Sequence, residues 1–166
     1  MELLIWCIGV LLLLIWFCVK PGRLSAAQAA PFYGVNHAHR GLYAQDQSVP
    51  ENSLPAFAAA AEKGYGMELD IQLSLDGEVV VFHDDTLARM CGIGGRVDAF
   101  PLARLREMPL AGTAERMPLL TEVFDTVAGK APIIIELKTG PRNEELCRKG
   151  LALMRAYQKQ YGGAFC

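Results

Sequence analysis

The sequence predicts an α/β fold with parallel strands, preceded by one membrane-spanning helix. Three observations carry that reading. Strand-like runs alternate with helical stretches along residues 34–166, the pattern of parallel strands joined by crossover helices. The strands end in "HAHR", "FHDD" and "IELK", and in parallel α/β proteins a site lies at the C-terminal strand ends. Residues 3–19, "LLIWCIGVLLLLIWFCV", carry no charge, and about 17 apolar residues is the lower limit for crossing a bilayer core.

The apolar run has Trp6 and Trp16 near its ends, with Lys20 and Arg23 after it and Glu2 before it. Aromatic rings favour the membrane interface, and the positive-inside bias puts the residues after the helix in the cytoplasm. The expectation is a single-pass anchor over residues 1–20 with the bilayer as partner. The alternatives are a cleaved signal peptide on a secreted protein, with an A-x-A-like site in "SAAQAAP", or a buried core helix. Residues 21–33 are small and polar and read as a linker to a domain over 34–166.

A short strand over 34–38 opens that domain. Residues 53–63, "SLPAFAAAAEK", form a helix that Asn52 or Ser53 can cap, with Pro55 in its first turn and Gly64 behind it. Residues 67–73 alternate apolar and polar, the strand period of two. Asp76-Gly77 makes a turn into the strand "EVVVF". Residues 84–100 read as loop, 101–107 as a short helix, and 121–128 as a helix capped by Thr121 and followed by Gly129. "PIIIELK" is almost wholly apolar, as in a strand buried on both sides. A last helix covers residues 143–160.

Composition narrows the function. A formal charge of −2 and a pI near 5.9 leave no basic field for nucleic acid. Five cysteines, an odd number with no C-x-x-C spacing, read as free thiols. Glu68 and Asp70 stand at i and i+2 on one strand, so both side chains point the same way. Either that face is solvated, or two carboxylates held close keep a proton or share a divalent cation, Ca²⁺ or Mg²⁺. Glu136 and Lys138 repeat the spacing on a buried strand. They form an internal ion pair, or Glu136 is a third ligand and Lys138 a phosphate-facing cation. His39 and His83 each end a strand and titrate near neutrality. Arg40 offers a planar fork for a phosphate. Glu51 is a candidate for the same polar network, Asn52 for a helix cap, and His37 for a structural role.

Together "AHRG" at 38–41, "PENSLPAFAAAAEKGYGMELDIQLSLDGEVVVFHDDTLARMCG" at 50–92, "MPLLTEVF" at 117–124 and "IIIELK" at 133–138 resemble the glycerophosphodiester phosphodiesterase family. The resemblance implies a TIM-type (β/α)₈ barrel that hydrolyses glycerophosphodiesters to glycerol 3-phosphate and an alcohol. It implies that Glu68, Asp70 and Glu136 hold the metal, that His39 and His83 are the general acid and base, and that Arg40 and Lys138 attend the phosphate. A lysophospholipid substrate, or a non-catalytic membrane-tethered module that binds metal and phosphate, are the alternatives. Closed barrels of this type run to about 250 residues, so this chain of 166 residues is expected to hold the N-terminal half.

Overall fold

The computed structural model describes residues 2–20 and 25–166, which form two compact units, Met1–Ala30 and Pro31–Cys166. In the first unit, α1 (Glu2–Val19) has 18 residues and its described side chains are exposed. Among the described residues no helix is long and apolar enough to cross a membrane. The anchor expected over residues 3–19, and with it the bilayer as a partner, is therefore not supported. The linker expected over residues 21–33 is described only in part. Residues 21–24 lie outside the described residues, and α2 (Ala26–Ala29) and a 3₁₀ turn (Ala30–Phe32) occupy most of the remaining stretch. The local reason is a capping box, in which Ser25 Oγ accepts from Gln28 N–H and Gln28 Oε1 accepts from Ser25 N–H.

The second unit is built on an open four-stranded sheet. It comprises β1 (His37–Ala38), β2 (Gly66–Leu73), β3 (Val79–Val81) and β4 (Ile133–Leu137). β2 is central. β1 and β4 run parallel to it, and β3 returns antiparallel through the turn at Asp76-Gly77. Past β4 the backbone of Ile133 and Ile135 bonds in parallel fashion to residues 164–166. β1 is shorter than expected, because its ladder reaches only Gly66 and Met67.

The parallel strands need crossovers, supplied by α3 (Leu54–Glu62), α6 (Leu120–Val127) and α7 (Asn143–Tyr161). Met67, Leu69, Ile71 and Leu73 of β2 pack on these helices with Phe57, Ala60, Val123, Phe124, Met154 and Tyr157 in one core. The alternation along β2 then turns Glu68, Asp70, Gln72 and Ser74 to the opposite face. That face is not solvated: Asp70 is 1% exposed and Ser74 is fully buried.

Residues 84–100, expected as plain loop, contain α4 (Ala88–Cys91) and a 3₁₀ turn (Val97–Ala99). With α5 (Leu102–Leu105) they enclose a second core of Val80, Phe82, Leu87, Met90, Val97 and Leu105. Their apolar residues are too irregularly spaced to read as a helix, and their packing is tertiary. Two expected caps also differ. Ser53 makes no side-chain cap to α3, its hydroxyl donating instead to Pro50 C=O. Thr121 lies inside α6, whose first turn is closed by Glu122 accepting from Leu119 N–H at 2.8 Å.

Candidate active site

The register of β4 on β2 creates the acidic cluster. Asp70 stands beside Glu136 on the neighbouring parallel strand, so both carboxylates leave the same face. Glu68 lies two residues along β2 on that face. A carboxylate oxygen from each of Glu68, Asp70 and Glu136 lies within 4.8 Å of the others. The ion-pair reading of Glu136 is the one these contacts carry, since Lys138 Nζ donates to Glu136 at 2.6 Å and to Asp70 at 2.9 Å. Burial alone would lower the Lys138 pKa, but those two bonds hold it raised. Burial first, then the adjacent Asp70 carboxylate, raises the Glu68 pKa.

Arg40 is threaded into this cluster by its backbone. Its φ of 57° is left-handed, a conformation that costs of order 1–3 kcal/mol and collects at functional sites. The gain is geometric. Arg40 N–H donates to Glu68 Oε2 at 3.0 Å, while its guanidinium donates to Glu51 at 2.9 Å and places Nε 3.8 Å from Asp70. That Nε is buried without a hydrogen-bond partner. Gly41 (φ 81°) follows, and a Cβ there would sit 2.9 Å from the Ala56 Cβ. Asn52, also left-handed at φ 53°, donates its backbone N–H to Arg40 C=O and its Nδ2 to Asp70 at 3.0 Å. The cap expected of Asn52 is thus not made, because its side chain turns inward to a buried carboxylate.

The histidines stand on two sides. His39 follows β1, is 67% exposed, and its Nε2 lies 3.9 Å from Glu68. His83 follows β3, and its Nδ1 lies 2.7 Å from Asp84. Gln72 Nε2 donates to the carbonyls of Phe82 and Asp84 at 2.9 and 2.8 Å, holding the backbone on both sides of His83. His37 stacks on Phe32, and a Cβ at Gly66 would meet its ring at 2.6 Å. This contact matches the structural role expected of it.

Glu51, 5% exposed, joins the network and is bonded by both Arg40 and Arg89. The structure therefore gathers Glu68, Asp70, Glu136, Lys138, Arg40, Glu51 and His39 by direct contact. His83 joins through Asp84, Arg89 and Glu51. Sequence reasoning missed Gln72, Asp84 and Arg89. Gln72 was legible as the next residue on the acidic face, whereas Arg89, in the four-residue helix α4, carried no periodic signal.

A donor set of three carboxylates fits a hard divalent cation, which favours oxygen ligands. The raised Glu68 pKa follows first from burial and then from the Asp70 carboxylate beside it.

Comparison with known proteins agrees with this geometry. Residues 39–160, more than half of the chain, match the glycerophosphoryl diester phosphodiesterase family. A glycerophosphodiester phosphodiesterase of Caldanaerobacter subterraneus subsp. tengcongensis is 40% identical over 112 residues, 62% of this chain and 44% of its own. A solved glycerophosphodiester phosphodiesterase from Thermotoga maritima superposes with a TM-score of 0.61 at 32% identity, covering 79% of this chain and 52% of its own. An Oleispira antarctica phosphodiesterase solved with the product sn-glycerol-3-phosphate gives a TM-score of 0.64 at 30% identity, over 80% and 55%. The fold is the TIM-barrel-like α/β architecture of these neighbours, and the chain spans about half the length of the relatives it matches. In sequence and fold, the chain belongs to the glycerophosphoryl diester phosphodiesterase family.

Proposed function

We propose that this chain carries the metal, phosphate and acid/base groups of an enzyme that hydrolyses glycerophosphodiesters to glycerol 3-phosphate and an alcohol. The observation that carries the reading is the convergence of Glu68, Asp70 and Glu136 within 4.8 Å, flanked by Arg40, Lys138 and His39. A divalent cation, Ca²⁺ or Mg²⁺, held by the three carboxylates supplies counter-charge for the phosphate oxygens. Arg40 and Lys138 bind the phosphate, and the buried, unpartnered Arg40 Nε supports an anion at that place. One histidine removes the proton from the nucleophile, either water or a neighbouring glycerol hydroxyl. The other protonates the departing alcohol oxygen. Each transfer is typically worth about 10²–10⁴-fold.

The test is hydrolysis of glycerophosphocholine by the chain with and without chelator, with Ca²⁺ or Mg²⁺ added back. Turnover indifferent to chelation refutes the metal role. Loss of turnover in both His39→Ala and His83→Ala supports the acid/base pair. Calorimetric binding of Ca²⁺ or Mg²⁺ without turnover points instead to a binding module.

A second reading keeps the site and takes a lysophospholipid. It is favoured by likeness to a lysophospholipase D of Rattus norvegicus, 30% identical over 154 residues and 85% of this chain. Parallel assays on glycerophosphocholine and lysophosphatidylcholine separate the two. A membrane-surface location rests on the apolar residues 3–19 alone, and sedimentation of the chain with lipid vesicles tests it.

A further inference from the structure

Arg89 has no part in the metal, phosphate or acid/base roles above, yet its side chain makes four hydrogen bonds to two carboxylates of the site. Its Nη1 and Nη2 donate to Glu51 at 3.1 and 2.7 Å. Its Nε and Nη2 donate to the two oxygens of Asp84 at 2.7 and 2.9 Å. Asp84 in turn lies 2.7 Å from His83 Nδ1, and Glu51 accepts from Arg40 at 2.9 Å. One planar fork thus spans the carboxylate that touches His83 and the carboxylate that touches Arg40.

We propose that Arg89 is a positioning residue that fixes the rotation and tautomer of the His83 ring through Asp84. The proposal rests on the reading of His83 as an acid/base group. A carboxylate next in sequence to His83 and partly open to solvent would hold the ring loosely by itself. With both oxygens engaged by Arg89, Asp84 presents a set acceptor to Nδ1. Neutral His83 then carries its proton on Nδ1 and leaves the Nε2 lone pair to exchange a proton with the substrate. The backbone around His83 is held separately by Gln72, so Arg89 acts on the ring and not on where the segment lies. Arg40 keeps its own bond to Glu51 when Arg89 is removed, so phosphate binding is the smaller casualty.

The test compares the parent chain with Arg89→Ala, Arg89→Lys and His83→Ala. Arg89 is 46% exposed at its side chain, so its truncation leaves little unfilled volume. Expected is a fall in kcat of about 10–100-fold for Arg89→Ala, the scale of a small misplacement of a reacting group, with a smaller change in KM. Arg89→Lys, which keeps the charge and loses the fork, falls as well. Added guanidinium ion restores part of the Arg89→Ala loss. By ¹⁵N NMR, the His83 ring shows the Nδ1–H tautomer in the parent and a mixture with Nε2–H in Arg89→Ala. Unchanged kcat with an unchanged tautomer overturns the proposal, as does a rise in KM at constant kcat. Full turnover by His83→Ala would sink the acid/base reading instead, and the ring tautomer would still decide what Arg89 does.

Discussion

Replacing Glu51 by Gln is expected to destabilise the fold by about 2–3 kcal/mol at neutral pH, and that difference is expected to vanish in acid. Glu51 is buried and accepts three guanidinium bonds, one from Arg40 and two from Arg89. The two arms are not equal. Arg89 is 46% exposed, so water replaces much of what it loses, and its arm counts as a surface pair of about 0.2–1 kcal/mol. Arg40 is 17% exposed, and a charge-assisted bond there is worth about 1.5–3 kcal/mol. The amide also turns a donor toward a guanidinium. With a urea slope of about 2 kcal/mol/M, the midpoint drops by about 1 M or slightly more. Burial alone would raise the Glu51 pKa, but Arg89 and Arg40 together hold it lowered. A folded pKa below the unfolded value of about 4.3 means the stabilisation is present above that pH and lost as pH falls through the folded value. Asp84, on the other side of Arg89, keeps its charge down to about 2. The assay is urea unfolding of parent and variant from pH 7 downward. A midpoint difference that stays constant with pH would refute the assignment of the cost to the Glu51 charge.

Three further outcomes are expected from the same geometry. Gly41→Ala places a Cβ 2.9 Å from the Ala56 Cβ at φ 81°; left-handed strain and overpacking together cost about 2–4 kcal/mol, read as a lowered thermal midpoint. Glu136→Gln removes one of three carboxylates from the cluster and weakens Ca²⁺ or Mg²⁺ binding by about tenfold or more in calorimetry. The Asp84 carboxyl, pulled down to about 2 first by its Arg89 bonds and then by His83 against burial, titrates by ¹³C NMR near that value. Its contribution to stability is present above about pH 4 and lost as pH falls toward 2, and Arg89→Ala moves the titration upward.

Much of the site was legible before any coordinates. Period-two alternation over residues 67–73 put Glu68 and Asp70 on one face, and the structure has them there. The apolar run before Glu136 announced a strand, and β4 lies beside β2, but burial on both sides is not met: Ile133 and Ile135 are buried while Ile134 is half-buried and Glu136 exposed. The failures have physical causes as well. Asn52 reads locally as a cap, since the residue type and its position before a helix satisfy the capping pattern; the pull of a buried carboxylate on another strand is invisible at that range. Arg89 and Gln72 act through contacts 38 and 10–12 residues away. The apolar run over residues 3–19 is plain in the sequence, yet among the described residues no helix is long and apolar enough to cross a membrane.

The sequence by itself determined the longer strands and helices of residues 53–81 and 120–161, which face of β2 is polar, and which residue types wait at the strand ends, because these depend on side-chain period and turn chemistry within a few residues. Tertiary structure alone decided that Asp70 pairs in register with Glu136. A slip of one residue would have sent Glu136 to the helix-packed face and dissolved the cluster. It also decided that one arginine from the short helix α4 ties His83 to Arg40. Register and long-range ion pairing are set by how separate elements pack, and no local pattern records the distance between them.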